Sequence, residues 1–185
     1  KGAEADIIMP VPSIYRYPSN LPDPIQHLKR GTDTPHNLII VEDGSDEFGY
    51  AHSVNAGAKA GTSPIIICHS DDVYSNDGWI KTVQAAFRAD LNLGVCGAVQ
   101  TDANRLITHI GGVFDPISVR AWHVPGRGAS ATDIERKYLH ILTHPGITHG
   151  ERIVYSDWVN GALFAVRREL WEKLGGLDER FKFFW

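Results

Sequence analysis

The stretch Pro64-Ile65-Ile66-Ile67-Cys68-His69-Ser70-Asp71-Asp72-Val73-Tyr74 limits what this chain can fold into more than any other. Apolar and β-branched residues that give way abruptly to paired carboxylates read as a buried parallel strand delivering acid groups to the rim of a sheet. That rim is where open α/β sheets bind ligands. Adjacent aspartates repel one another, so they persist where a cation or hydrogen-bond donors offset the charge. A hard divalent ion suits such a pair: Mg²⁺ keeps most of its waters and is held by one or two carboxylates plus the oxygens of a substrate phosphate. The competing reading is a plain turn in which Asp71 or Asp72 caps a helix beginning near Asn76-Asp77-Gly78-Trp79.

The same pattern recurs upstream. Asn37-Leu38-Ile39-Ile40-Val41 is a second apolar strand, followed at once by Glu42-Asp43-Gly44-Ser45-Asp46. Two strands ending in acids at equivalent points place their carboxylates along one edge, where a polyhydroxylated or phosphorylated ligand fits. The first strand, Asp6 to Pro12, is closed by Pro10 and Pro12, which argue against its continuing as a central ladder strand. Helices are expected at Leu21 to Arg30, with Pro22 and Pro24 confined to the first turn, and at Phe48 to Ala60, where Ala51, Ala56, Gly57, Ala58 and Ala60 permit close approach to the sheet. A third, Trp79 to Ala89, sets Trp79, Ile80, Val83, Ala86 and Phe87 on one core face. Leu93 to Val99 reads as a fourth strand. The alternation β-α-β-α-β-α-β predicts an α/β fold, doubly wound around a mostly parallel sheet.

From Gln100 the texture changes. Leu106 to Phe114 reads as short sheet-forming pieces, and Val119 to Gly150 is rich in Gly, Pro and His, with a helix at Thr132 to Leu142. Long irregular inserts of this kind are usually functional or mobile. Within it, Trp122, His123 and Arg127 in the group Arg120 to Gly128 suit stacking on a sugar ring or closing over a diphosphate; the alternative is a loop with no ligand contact. Strand character returns over Ile153 to Val166, and the helix Arg168 to Leu174 is closed by Gly175-Gly176. Residues 1–100 are thus expected to form a nucleotide-binding half and residues 101–185 an acceptor-side half of one domain. The apolar ending Phe183-Phe184-Trp185 reads as a domain cut short.

Composition narrows the classes. A net charge of −4 with scattered basic residues argues against a nucleic-acid binder, so any phosphate is better met by a metal. The two cysteines, Cys68 and Cys96, lie in apolar runs and read as buried reduced thiols of an intracellular protein. No apolar run approaches ~18 residues and the N-terminus carries no signal-peptide pattern. The expectation is a cytoplasmic protein, with peripheral membrane association left to segments outside this sequence. The histidines include no i, i+4 pair that carries the glutamate of a helical zinc site.

Taken together, these blocks resemble the family-2 inverting glycosyltransferases of the GT-A fold, a Rossmann-like three-layer sandwich. The resemblance runs through Ile7 to Val11, Ile39 to Ser45, Asn55-Ala56-Gly57, Ile67 to Asp72, His109 to Gly112, Asn160 to Glu169, and Leu174 to Phe181. It implies that Pro10, Val11 and Pro12 wall the nucleotide-base pocket, that Asp43 or Glu42 accepts hydrogen bonds from the base, and that Asp71 holds the ribose. Asn55 and Lys59 join this nucleotide-binding set. Asp72, with Asp71, would ligate the Mn²⁺ or Mg²⁺ bridging the diphosphate, and Asn160 and Gly161 would face the sugar or acceptor. Two departures stand out: Ser70 replaces the first aspartate usual in the family's Asp-x-Asp motif, and Pro12-Ser13 replaces a Tyr-Asn pair. The family's catalytic base belongs to a Glu-Asp pair expected beyond Trp185; the candidates inside the sequence are Asp178, Glu179 and Asp157.

The implied activity is transfer of a sugar from a nucleotide-diphospho-sugar donor to a hydroxyl of a glycan or lipid-linked acceptor. One rival is a sugar-phosphate nucleotidyltransferase, which expects a glycine-rich phosphate loop after the first strand. Pro10 to Arg16 contains no glycine. The other is a non-catalytic nucleotide- or carbohydrate-binding relative.

Overall fold

A computed structural model describes residues 2–12, 23–31, 34–43, 49–118, 120–123, 128, 130 and 156–181. In chain order the elements are β1 (Ala5–Pro12), α1 (Pro24–Gly31), β2 (His36–Asp43), α2 (Tyr50–Ala60), β3 (Ile65–His69), α3 (Trp79–Ala89), β4 (Val95–Gly97), β5 (Gln100–Thr101), β6 (Ile107–His109), β7 (Gly112–Asp115), β8 (Arg120–His123), β9 (Leu163–Arg167) and α4 (Arg168–Leu174). The backbone forms two compact units, Lys1–Val83 with Gly161–Trp185, and Gln84–Asn160.

In the first unit β1 lies between β2 and β3, parallel to both. Its register with β2 runs from Ala5 opposite His36 to Pro12 opposite Asp43. With β3 it runs only from Ala5 opposite Ile65 to Ile8 opposite Cys68. The prolines therefore lie where β1 no longer runs as a central ladder strand, as the sequence expectation has it. They are tolerated because Pro10 and Pro12 lie past the point where β3 stops pairing, so β1 is laddered on one side only there. The expected run of parallel strands breaks at β3, whose other side takes β9 antiparallel, with Ile65 opposite Arg167 and His69 opposite Leu163. The sheet is mixed but mostly parallel, and the fold is α/β. The strand expected over Leu93 to Val99 contracts to Val95–Gly97.

Alternation along the strands sorts side chains onto two faces. Ile8, Ile66, Cys68 and Val166 form one buried face, covered by Val54 and Ala58 of α2 and Trp171 of α4. Gly57 lets α2 lie this close, since a Cβ there would collide with Ile8 and come within 3.1 Å of Val41. Ile7, Ile67 and His69 point the other way, and Trp79 of α3 packs against the His69 ring at a centroid distance of 5.6 Å. Helices on both faces give the three layers such a sheet needs. Each fully buried aliphatic side chain adds about 1.5–3 kcal/mol. Of the expected α3 core face, Ile80, Ala86 and Phe87 are buried and Trp79 and Val83 half-buried.

Local signals fix the helix ends. Pro24 opens α1, and the Asp23 carboxylate accepts the Ile25 N–H at 2.9 Å as its cap. Gly175 ends α4 at φ 82°, its N–H reaching the Trp171 carbonyl at 3.0 Å.

At the end of the sheet where the parallel strands begin, Asp6 is wholly buried. It accepts hydrogen bonds from Ser63 N–H (2.8 Å), Ser63 Oγ (2.7 Å), Asn37 Nδ2 (2.8 Å) and Arg168 Nη2 (2.7 Å). The same guanidinium donates from Nε to the Ser63 carbonyl at 2.6 Å and from Nη1 to the Ala58 carbonyl at 2.9 Å. Burial pushes the Asp6 pKa up, but the hydrogen bonds from Asn37 and Ser63 and the charge of Arg168 outweigh it and hold the carboxyl below its ordinary value.

In the second unit β5 pairs antiparallel with β6, and β7 with β8, Gly112 opposite His123 and Asp115 opposite Arg120. The helix expected at Thr132 to Leu142 lies outside the described residues.

Candidate functional site

Because β1, β2 and β3 are parallel, their C-terminal ends share one edge of the sheet. Val11 lies beside Glu42, and Pro12 beside Asp43. Pro10 and Val11 are buried, Glu42 is exposed and Asp43 half-buried. The Asp43 carboxylate sits at the start of α2, its Oδ2 accepting from Gly49 N–H at 3.3 Å and Ser53 Oγ at 3.4 Å. A carboxylate there complements the helix dipole.

β3 delivers His69, Ser70, Asp71 and Asp72 to the same edge. Asp71 is 9% exposed, whereas Asp72 is open to solvent. The Ser70 hydroxyl donates to Asp72 Oδ1 at 2.6 Å and so orients that carboxylate. His69 holds the loop from beneath. Its Nδ1 meets the Ser70 carbonyl at 2.8 Å and its Nε2 the Ser75 hydroxyl at 2.9 Å. A carbonyl only accepts, so Nδ1 carries the proton and Nε2 accepts from Ser75. Burial pulls the His69 pKa down to about 4, which keeps this ring neutral. His27 of α1 donates from Nε2 to the Ser75 carbonyl at 3.0 Å and stands edge-on to Tyr74 at 5.3 Å. The start of β9 closes the edge: Ser70 N–H donates to the Ala162 carbonyl at 2.8 Å, and Tyr50 Oη to the Gly161 carbonyl at 2.5 Å. Burial pushes the Tyr50 hydroxyl above its usual range, so it acts as a neutral donor.

The structure thus brings Pro10, Val11, Glu42, Asp43, Asp71, Asp72 and Gly161 to one edge, with the backbone of Pro12 among them. Asn55 and Lys59 are not brought there. Asn55 faces the segment after α4, donating to the Leu177 carbonyl (2.9 Å) and Glu179 Oε1 (2.8 Å) and accepting from Leu177 N–H (2.9 Å). Lys59 is exposed on the last turn of α2, at the opposite end of the helix from Asp43. Asp178 binds Arg180 at 2.6 Å, which draws its carboxyl down to about 2. Glu179 is lowered by its bonds to Asn55 and to His52 Nδ1, the latter at 3.2 Å. Both carboxylates hold the turn after α4.

In the second unit Asp157 Oδ2 accepts the Phe114 N–H at 2.8 Å, and Asn160 N–H donates to His109 Nε2 at 3.1 Å. Trp122 and His123 stand in β8, opposite Val113 and Gly112. Arg127 lies outside the described residues.

Sequence reasoning missed His69, Ser75, His27 and Tyr50 as supports of this edge. Only His69 left a signal, as a polar residue closing an apolar run. Burial raises the pKa of both thiols, Cys68 and Cys96, and neither is in a disulfide. Among the described residues no group of three or more His, Cys, Asp and Glu converges to cage a metal, and no helix is long and apolar enough to cross a membrane.

No family model matches the chain, and no curated protein matches it. Three solved structures align with the chain. A CMP:2-keto-3-deoxy-manno-octonic acid synthetase complexed with CTP aligns at 12% identity and TM-score 0.42, over 94% of this chain and 78% of that one. The mannosyltransferase PcManGT from Pyrobaculum calidifontis, in complex with GDP-Man and Mn²⁺, aligns at 18% identity and TM-score 0.42 over 97% of this chain, which spans only 48% of that protein. HddC from Yersinia pseudotuberculosis aligns at 9% identity and TM-score 0.38, over 91% of this chain and 79% of that one.

Proposed function

We propose that the chain carries the donor-binding part of a metal-dependent glycosyltransferase, which moves a sugar from a nucleotide-diphospho-sugar to a hydroxyl of a glycan or lipid-linked acceptor. The observation that supports this reading is the convergence of Asp43, Asp71 and Asp72 on the C-terminal edge of three parallel strands, each carboxylate placed differently. Pro10 and Val11 wall the base, and Glu42 or Asp43 accepts its N–H groups. Asp71, mostly buried, accepts from the ribose hydroxyls. Asp72, exposed and oriented by Ser70, is the metal ligand, with Asp71 beside it.

The donor set fits Mn²⁺ or Mg²⁺, which take hard oxygens from one or two carboxylates and complete their shell with diphosphate and water. When bound, such an ion neutralises charge developing on the leaving diphosphate. The protein's own part is to hold these carboxylates still, through His69, Ser75 and the β9 start, so that the donor is oriented without reorganisation. Asp178 and Glu179, both committed to the turn after α4, are assigned a structural role.

Calorimetric titration with UDP, GDP, dTDP and CDP, with Mn²⁺ and in EDTA, tests the reading. At least one nucleotide should bind in a metal-dependent way; equal affinity in EDTA, or no binding, overturns it. Product analysis separates the rivals, since glycosyl transfer releases nucleoside diphosphate and nucleotidyl transfer releases pyrophosphate.

A further inference from the structure

We propose that the hollow lined by Phe114, Pro116, Asp157 and Trp158 in the second unit is a binding site for the ring of a neutral saccharide. Its volume of about 590 Å³ falls in the range of small-molecule sites. The lining is apolar except for one carboxylate.

The parts are held in place before any ligand arrives. Gly112 N–H donates to the Trp158 carbonyl at 3.0 Å and Asp157 N–H to the Gly112 carbonyl at 2.8 Å, which zips residues 157–158 onto β7. A Cβ at position 112 would collide with the Trp158 indole, so the glycine is what seats the ring. His109 packs against that indole at a centroid distance of 5.0 Å. Phe114, also on β7, is 45% exposed, an unusual position for a large aromatic on a paired strand. Its N–H anchors Asp157 Oδ2 at 2.8 Å, and no ion pair to Asp157 occurs among the described residues. Preorganised groups of this kind lose little freedom on binding.

The chemistry selects the occupant. A pyranose offers a face of weakly positive C–H groups, which suits the negative face of an aromatic ring, and an edge of hydroxyl donors, which suits a carboxylate. A phosphate or nucleotide is disfavoured by the Asp157 carboxylate, which has no ion-pair partner among the described residues. An organic ammonium also likes aromatic rings beside an acid. The choice of a saccharide over it rests on the glycosyl-transfer reading, in which acceptor and donor sugars are the natural ligands.

The ¹⁵N-labelled chain has five tryptophans, hence five indole N–H signals, and Trp158→Phe identifies the one at issue. Methyl α-D-glucopyranoside, methyl α-D-mannopyranoside, methyl β-D-galactopyranoside, N-acetylglucosamine and choline are titrated separately, without nucleotide or metal. At least one sugar should shift the Trp158 signal saturably. Phe114→Ala should weaken that binding by roughly tenfold or more, Asp157→Asn should weaken it less, and Asp72→Ala should leave it unchanged. No saturable shift from any sugar, a shift that survives Phe114→Ala, or binding of choline alone overturns the proposal. Sugar binding in a chain that binds no nucleotide would leave this site standing and overturn the transferase reading instead.

Discussion

The two ends of the same parallel strands treat their acids in opposite ways. Where the strands begin, Asp6 is closed from solvent and surrounded by four donors, one of them a guanidinium. Where they end, Asp43 bonds the Gly49 N–H at the start of α2, Asp71 is mostly buried, and Asp72 faces solvent with one oxygen taken by Ser70 and, among the described residues, no hydrogen bond to the other. A carboxylate already saturated by the fold has nothing left to offer a ligand, and one held by a single oxygen does. The first end should therefore answer to mutation in stability, the second in binding.

Asp6→Ala is the sharpest test. It leaves the Arg168 charge and the Asn37 and Ser63 donors in place without their acceptor, and removing one partner of a buried pair costs about 3–5 kcal/mol. The urea midpoint should fall accordingly, and a loss below about 1 kcal/mol would erase the contrast.

Acid should come next, through His69. Its folded pKa, about 4, lies below the unfolded value near 6.5, so between those pH values the unfolded chain binds a proton that the folded chain does not. Stability is then complete above pH ~6.5 and falls by up to about 3 kcal/mol as pH drops toward 4. His69→Gln should abolish that slope in urea midpoints measured across the range. The Asp6 contribution has a separate window: its folded pKa is depressed, so it persists above the ordinary value of ~3.9 and disappears as pH falls through the lower folded one.

Asp72→Ala should move the urea midpoint by no more than about 0.5 kcal/mol. It should nevertheless remove the gain in nucleoside-diphosphate affinity that Mn²⁺ confers on the wild type, as read by calorimetry. Stability loss comparable to that of Asp6→Ala would mean that both ends serve the fold alone. The smallest effect belongs to Asp178→Ala, whose ion pair with Arg180 is open to water. No measurable midpoint change is expected, and a clear drop would show that the turn after α4 depends on that pair.

Much of this was readable from residues because the signals are local. An apolar run ending in acids marks β2 and β3, small residues mark α2, and Gly175 marks the end of α4. What escaped was set by partners far along the chain. Nothing within Leu163 to Arg167 says whether that strand runs with or against β3. Asn55 looked like part of a binding motif, but its amide is engaged 122 residues away at Leu177. Asp6 read as the start of an apolar strand, and its cation arrives 162 residues later.

That last separation has a meaning during synthesis. By the time the ribosome has released β1, α2 and β3, it holds a strand set whose first acid has no counter-charge and whose third strand lacks its neighbour. From the end of β3 to Arg168 is a further 99 residues (168 − 69), roughly 5–20 s at ordinary elongation rates. Through that interval the nascent chain carries an open sheet edge and half of a buried ion pair, the kind of species that chaperones recognise. Emergence of Leu163 to Leu174 supplies both missing pieces together, strand and guanidinium from one short segment.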